Sequence, residues 1–144
     1  FLGIDSAGRA CVVQTDGNPD GHLVLRGGDD GPNYGIDSIK DAQDQLRNAS
    51  LRSQLMVDCS HGNSNKDHTL VGHVWKDILA QRAGGNPGII GGMIESHLNS
   101  GNQKLNGGLD GLKYGVSVTD KCVGWQETTE LLLWAYERLG KSSA

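Results

Sequence analysis

"QLMVDCSHGNSNKDHTLVGHVWKDILAQRAGG", residues 54–85, holds a strand, a loop and a helix in one unbroken run. Leu55, Met56 and Val57 form an apolar segment that passes straight into Asp58, Cys59, Ser60 and His61. "GNSNKD" supplies loop and capping residues, residues 68–83 place apolar side chains at helical spacing, and Gly84 and Gly85 close the helix. A strand without polar alternation is what a sheet covered on both faces requires, which places the chain in the α/β class.

The unit recurs on either side. "HLVLRGG" (22–28) is predicted to be a strand, followed by the loop "DDGPNYG" and a weakly amphipathic helix from Ile36 to Asn48. "GIIGGMIESH" (88–97) is predicted as a third strand, followed by the polar segment "LNSGNQKLNGGLDG" rather than a helix. "YGVSVTD" (114–120) is predicted as a fourth, leading through "KCVGW" into a final helix over 127–140. Ahead of these, "FLGID" and "RACVVQT" flank a glycine-containing turn and predict a β-hairpin. The division is a hairpin and turn over residues 1–20 and four β/α units over 21–144, half of what an eight-stranded barrel of ~250 residues contains.

Composition narrows the function classes. The 144 residues carry 13 basic and 17 acidic side chains, a net charge of −4 with no Lys/Arg run, which argues against nucleic-acid and membrane partners. Cys11, Cys59 and Cys122 are odd in number and form no C-x-x-C pair, which favours a reducing, cytoplasmic setting over a disulfide framework. The 22 glycines, about twice the average share, imply tight turns and close backbone approaches. P-loop, G-x-G-x-x-G, G-x-S-x-G and zinc-finger spacings are all absent.

The strand ends carry the chemistry. Four successive units end in Arg26, His61, Glu95 and Asp120, and in parallel α/β folds the carboxyl ends share one face. Singly, each has a plainer reading: a hydrogen-bonded histidine, a capping carboxylate, an arginine paired with Asp29 or Asp30. Repetition favours convergence. One imidazole and two carboxylates suit Mn²⁺, Fe²⁺ or Zn²⁺, and Arg26 beside Gly27 and Gly28 has the bidentate geometry for phosphate or carboxylate. Lys66 and Lys121 are lesser candidates for the same anion; His68 and His97 read as structural or exposed.

"GNPDGHLVLRGG", "PNYG", "LMVDCSHGNSNKD", "MIESHLNSGNQ" and "GLKYGVSVTDKCVGW" together resemble the type I 3-deoxy-D-arabino-heptulosonate 7-phosphate (DAHP) synthases, in the family's order and across nearly the whole chain. The resemblance implies a metal-dependent (β/α)8 TIM barrel that condenses phosphoenolpyruvate with erythrose 4-phosphate, opening the shikimate pathway of aromatic amino acid biosynthesis. It implies His61, Glu95 and Asp120 as metal ligands, for Mn²⁺ first and Fe²⁺, Co²⁺ or Zn²⁺ as alternatives. Arg26 is implied as the phosphoenolpyruvate-binding arginine, with His61 touching that substrate too and Asp120 assisting in catalysis. A synthase using arabinose 5-phosphate is the nearest rival, disfavoured by "GLKYGVSVTDKCVGW" and the hairpin.

The family's fourth metal ligand is a cysteine early in the barrel, and this sequence contains no such segment. Cys59 lies at a variable step of its motif, whereas Cys122 matches a family cysteine beside the metal, a redox-sensitive neighbour rather than a ligand. The chain therefore resembles the carboxyl-terminal half of the barrel, about strands 5–8 with an inserted hairpin. It is expected to be inactive alone; a non-catalytic half-barrel binding an effector or partner subunit is the alternative. In the family the hairpin helps form an aromatic amino acid pocket, which carries over to Phe1, Gly3 and Val13. Glycine at position 3 leans toward tyrosine sensitivity, and a homo-oligomer is expected of the full-length enzyme.

Overall fold

The computed structural model describes residues 1–105 and 108–140. Its centre is a three-stranded parallel sheet in the order β3–β4–β5, formed by Leu23–Leu25, Leu55–Asp58 and Ile89–Met93. Leu23, Val24 and Leu25 lie opposite Leu55, Met56 and Val57, and a register shift between Leu55 and Met56 brings Asp58 opposite Met93. A separate antiparallel hairpin joins β1 (Leu2–Ile4) to β2 (Ala10–Val12). Asp5 locks its turn by accepting from the Ala7 and Arg9 backbone N–H groups, both at 2.9 Å.

Helices α1 (Ile36–Asn48), α2 (Val71–Ala83) and α3 (Trp125–Gly140) supply the other layer. A 3-10 turn, His68–Leu70, leads into α2, and Asp67 caps it by accepting from Thr69 N–H at 3.0 Å. Leu25, Leu55, Val57 and Ile89 of the sheet join Ile39 of α1, Val74, Trp75 and Ile78 of α2, and Leu131 of α3 in one buried cluster. Gly92 lets α2 come close: a Cβ there would sit 2.6 Å from Trp75 Cζ3 and 2.9 Å from Ile78 Cδ1. None of the helices is long and apolar enough to cross a membrane, among the described residues.

Trp75 also ties α2 to α3, its indole N–H donating to the Leu131 carbonyl at 3.0 Å. Trp75→Phe removes this bond and leaves a small void, so the urea midpoint is expected to fall by the equivalent of about 1–2 kcal/mol. An unchanged midpoint would mean that the interhelical bond adds nothing.

The fourth predicted strand, 114–120, needs correction. The described residues there form isolated bridges, Asn102 with Ser117, Gly101 with Cys122 and Ser96 with Val123, and no continuous ladder. Side-chain amides take the carbonyls a ladder would use: Asn99 donates to Tyr114 O, Asn102 to Thr119 O, and Gln103 to both Lys113 O and Val116 O. The third strand is also shorter than predicted, five residues from Ile89 to Met93, while α3 starts at Trp125.

Candidate metal centre

The chain turns sharply where β4 ends. Asp58 is almost fully buried and accepts from Ser60 N–H at 2.9 Å through Oδ1. His61 follows with φ of 39° and opens a 3-10 turn, His61–Ser64, before Asn65 and Lys66 take φ of 53° and 59°. Left-handed backbone at a histidine is uncommon and marks a side chain aimed by its surroundings. The aim comes from Asp58, whose Oδ2 lies 2.6 Å from His61 Nδ1. With Nδ1 donating to that carboxylate, Nε2 is the free lone pair.

His61 Nε2 lies 3.5 Å from Glu95 Oε1 and 3.6 Å from Asp120 Oδ2, and the three ligand atoms all fall within 4.8 Å of one another. Ligand bonds of ~2.0–2.2 Å at tetrahedral to octahedral angles hold donors about 3–3.6 Å apart, so the set fits one divalent cation. Glu95 is fixed by its own N–H, which donates to Ser60 Oγ at 3.0 Å, and its carbonyl accepts from Val123 N–H at 3.0 Å. The latter bond carries the segment containing Asp120 to the end of the sheet.

Arg26 stands beside this cluster, its Nε 3.9 Å from Asp58 Oδ2 and its side chain 60% exposed. Its carbonyl accepts from Gly62 N–H at 3.1 Å, and Gly27 N–H donates to Asn33 Oδ1 at 2.8 Å. Asn63 completes the clasp: its amide donates to Leu25 O and Asp58 O, and its Oδ1 accepts from Asn33 N–H at 2.7 Å. Asp58, Asn33 and Asn63 were given no role by the sequence reasoning. Asp58, three residues before His61 at a strand end, had a usable signal; the two asparagines had none.

Lys66 and Lys121 line the same small pocket as the three ligands and Ser64, both exposed at the surface. The largest concavity, about 580 Å³, is bounded by His97, Gln103 and the 112–119 segment and contains none of the three ligands. His97 uses Nδ1 to accept from Leu98 N–H, a local structural role, and His68 stands beside Asp67. Phe1, Gly3 and Val13 come together on the hairpin: Phe1 and Val13 exchange hydrogen bonds, and a Cβ on Gly3 would lie 2.7 Å from Val13 Cγ2.

Burial sets the cysteines apart. Cys59 is inaccessible, and desolvation followed by the charge of Asp58 pushes its thiol up to about 12. Burial likewise raises Cys122, whose Sγ sits 3.5 Å from the Asp120 carbonyl, with Glu95 and Asp120 adding to the shift. Alkylation of the native protein at neutral pH is expected to modify partly exposed Cys11 first, leaving Cys59 intact until unfolding. Peptide mass spectrometry checks the order, and early modification of Cys59 would contradict it.

A model of the DAHP synthetase I family matches residues 3–133. The chain belongs to that family. It is 50% identical over 132 residues to the Tyr-sensitive phospho-2-dehydro-3-deoxyheptonate aldolase of Enterobacter agglomerans, and 48% identical to that of Escherichia coli K12. Each match covers 92% of this chain, which spans 62% of the first relative's length and 37% of the second's. The solved phospho-2-dehydro-3-deoxyheptonate aldolase of Francisella tularensis SCHU S4 superposes with a TM-score of 0.89 at 40% identity, covering 100% of this chain and 41% of that one. Membership of the DAHP synthetase I family was thus legible in the five sequence motifs, and the α/β class with a parallel sheet holds.

Proposed function

We propose that this chain supplies the metal-binding and phosphoenolpyruvate-binding part of a DAHP synthase, which condenses phosphoenolpyruvate with erythrose 4-phosphate and releases phosphate. The observation that carries the reading is the convergence of His61, Glu95 and Asp120 within 4.8 Å in a chain of this family. His61 Nε2 and the two carboxylates would hold a divalent ion, Mn²⁺ by preference. When bound, that ion supplies Lewis acidity at the sugar aldehyde.

The protein's own side chains do the rest. Arg26, with its exposed planar guanidinium, binds the anionic end of phosphoenolpyruvate and fixes its direction of approach. His61 touches the same substrate from the metal side, and half-exposed Asp120 orients water or the sugar hydroxyls. On this reading residues 21–144 are four β/α units, strands 5–8 of a (β/α)8 barrel, and residues 1–20 are an insertion whose Phe1, Gly3 and Val13 face an aromatic amino acid effector, tyrosine by preference. A cytoplasmic homo-oligomer belongs to the same reading.

Calorimetric titration tests it. Mn²⁺ is expected to bind with near one-to-one stoichiometry, and phosphoenolpyruvate to bind after it, with an Arg26→Gln protein losing the second heat but retaining the first. Absence of Mn²⁺ binding would sink the proposal. The 144 residues alone are expected to release no phosphate from the two substrates, because the reading assigns the cycle to more residues than these; metal-dependent turnover by this polypeptide would overturn that part.

A further inference from the structure

The carboxylate of Asp58 faces both parts of the proposed site. Its side chain is 1% exposed, Oδ1 is taken by Ser60 N–H, and Oδ2 is shared between His61 Nδ1 at 2.6 Å and Arg26 Nε at 3.9 Å. A buried carboxylate needs hydrogen bonds and a countercharge. The Ser60 amide and a neutral imidazole provide only hydrogen bonds, so the guanidinium of Arg26 is the countercharge within reach.

The backbone of Arg26 does not depend on this contact. Gly62 N–H holds its carbonyl, and the Asn33–Asn63 clasp holds Gly27. What Asp58 adds is the direction of the guanidinium on one side and the tautomer of the imidazole on the other.

We propose that Asp58 is a shared positioning residue. It keeps the Nε2 lone pair of His61 facing Glu95 and Asp120 while tethering Arg26, so that cation and anionic substrate occupy subsites joined through one carboxylate oxygen. The inference rests on the reading of the cluster as a metal centre and of Arg26 as an anion site. Asp58→Asn preserves shape but offers one acceptor oxygen for two N–H donors and no charge for Arg26.

The test uses the protein labelled with ¹⁵N-histidine, beside Asp58→Asn and Glu95→Gln. Mn²⁺ alone is titrated by the electron paramagnetic resonance of the free ion, and phosphoenolpyruvate alone by calorimetry. Asp58→Asn is expected to weaken Mn²⁺ about 10–100-fold, the range for partners lying behind a ligating histidine, and to weaken phosphoenolpyruvate in parallel. Nitrogen shifts of the metal-free, neutral His61 ring are expected to report the Nδ1–H tautomer in the unaltered protein and a move toward Nε2–H in the variant. That first reading needs no variant, so it stands even if Asp58→Asn fails to fold; an Nε2–H ring in the unaltered protein overturns the proposal. If Glu95→Gln loses Mn²⁺ while Asp58→Asn keeps both affinities, the metal centre stands and the role of Asp58 falls. If Glu95→Gln binds Mn²⁺ unchanged, the metal-centre reading itself falls, and this inference with it.

Discussion

Gly27→Ala is expected to destabilise the protein by about 3 kcal/mol, the sum of overpacking and a forced left-handed backbone at a residue with a Cβ. Gly27 has φ of 83°, and its added Cβ would lie 2.6 Å from Gly62 Cα, 2.7 Å from Gly62 C and 3.0 Å from Asn63 N. All three are main-chain atoms, so no side chain can swing aside. The contact is reciprocal, since a Cβ on Gly62 would meet the Arg26 carbonyl oxygen at 2.8 Å. Here the ends of β3 and β4 touch backbone to backbone, and that touch sets the distance between Arg26 and His61. Gly28→Ala is the control, because nothing lies within 4 Å of its would-be Cβ. Chemical denaturation of the two variants should differ by nearly the full amount; equal midpoints would remove the argument.

His61→Ala is expected to lower Mn²⁺ affinity by more than about 100-fold, beyond the range for residues that only support a ligand. It deletes the sole imidazole of the cluster and leaves Glu95 and Asp120 as two partly exposed carboxylates, which bind a divalent ion weakly without a third donor. It also strands the buried Asp58 carboxylate without its closest partner, so some loss of stability should accompany the loss of affinity. Glu95→Ala separates the two effects, because Glu95 is not the partner of Asp58: its Mn²⁺ affinity should fall comparably with a smaller change in denaturation midpoint. Retained tight binding in either variant would show that the ion, if bound, sits elsewhere.

How far the sequence could be read followed from where each structural determinant lay. Helix α1 runs from Ile36 to Asn48 as its pattern predicts, because local periodicity governs it and Ile39 can be buried without help from distant residues. Strand β4 stops at Asp58, three residues before the predicted end, because that carboxylate turns back to take the Ser60 amide. The segment after Gly115 has strand-like composition, yet its carbonyls are claimed by Asn102 and Gln103, a choice made by tertiary contact and invisible to a pattern of alternation. His61, Glu95 and Asp120 were legible as a set because each ends a strand-like apolar run. Asn63 was not, since its partners at Leu25 and Asn33 lie 38 and 30 residues away.

The side-chain tethers of the 99–120 segment have a further consequence. A ladder of backbone bonds opens strand by strand, but three amide side chains that hold one segment can release it as a unit while the sheet stays closed. Asp120 travels with that unit, whereas His61 and Glu95 remain anchored to β4 and β5. Cation binding and closure of this flap are therefore thermodynamically linked: the ion draws the flap shut, and whatever loosens Asn102 or Gln103 is felt as weaker binding at an oxygen neither of them touches.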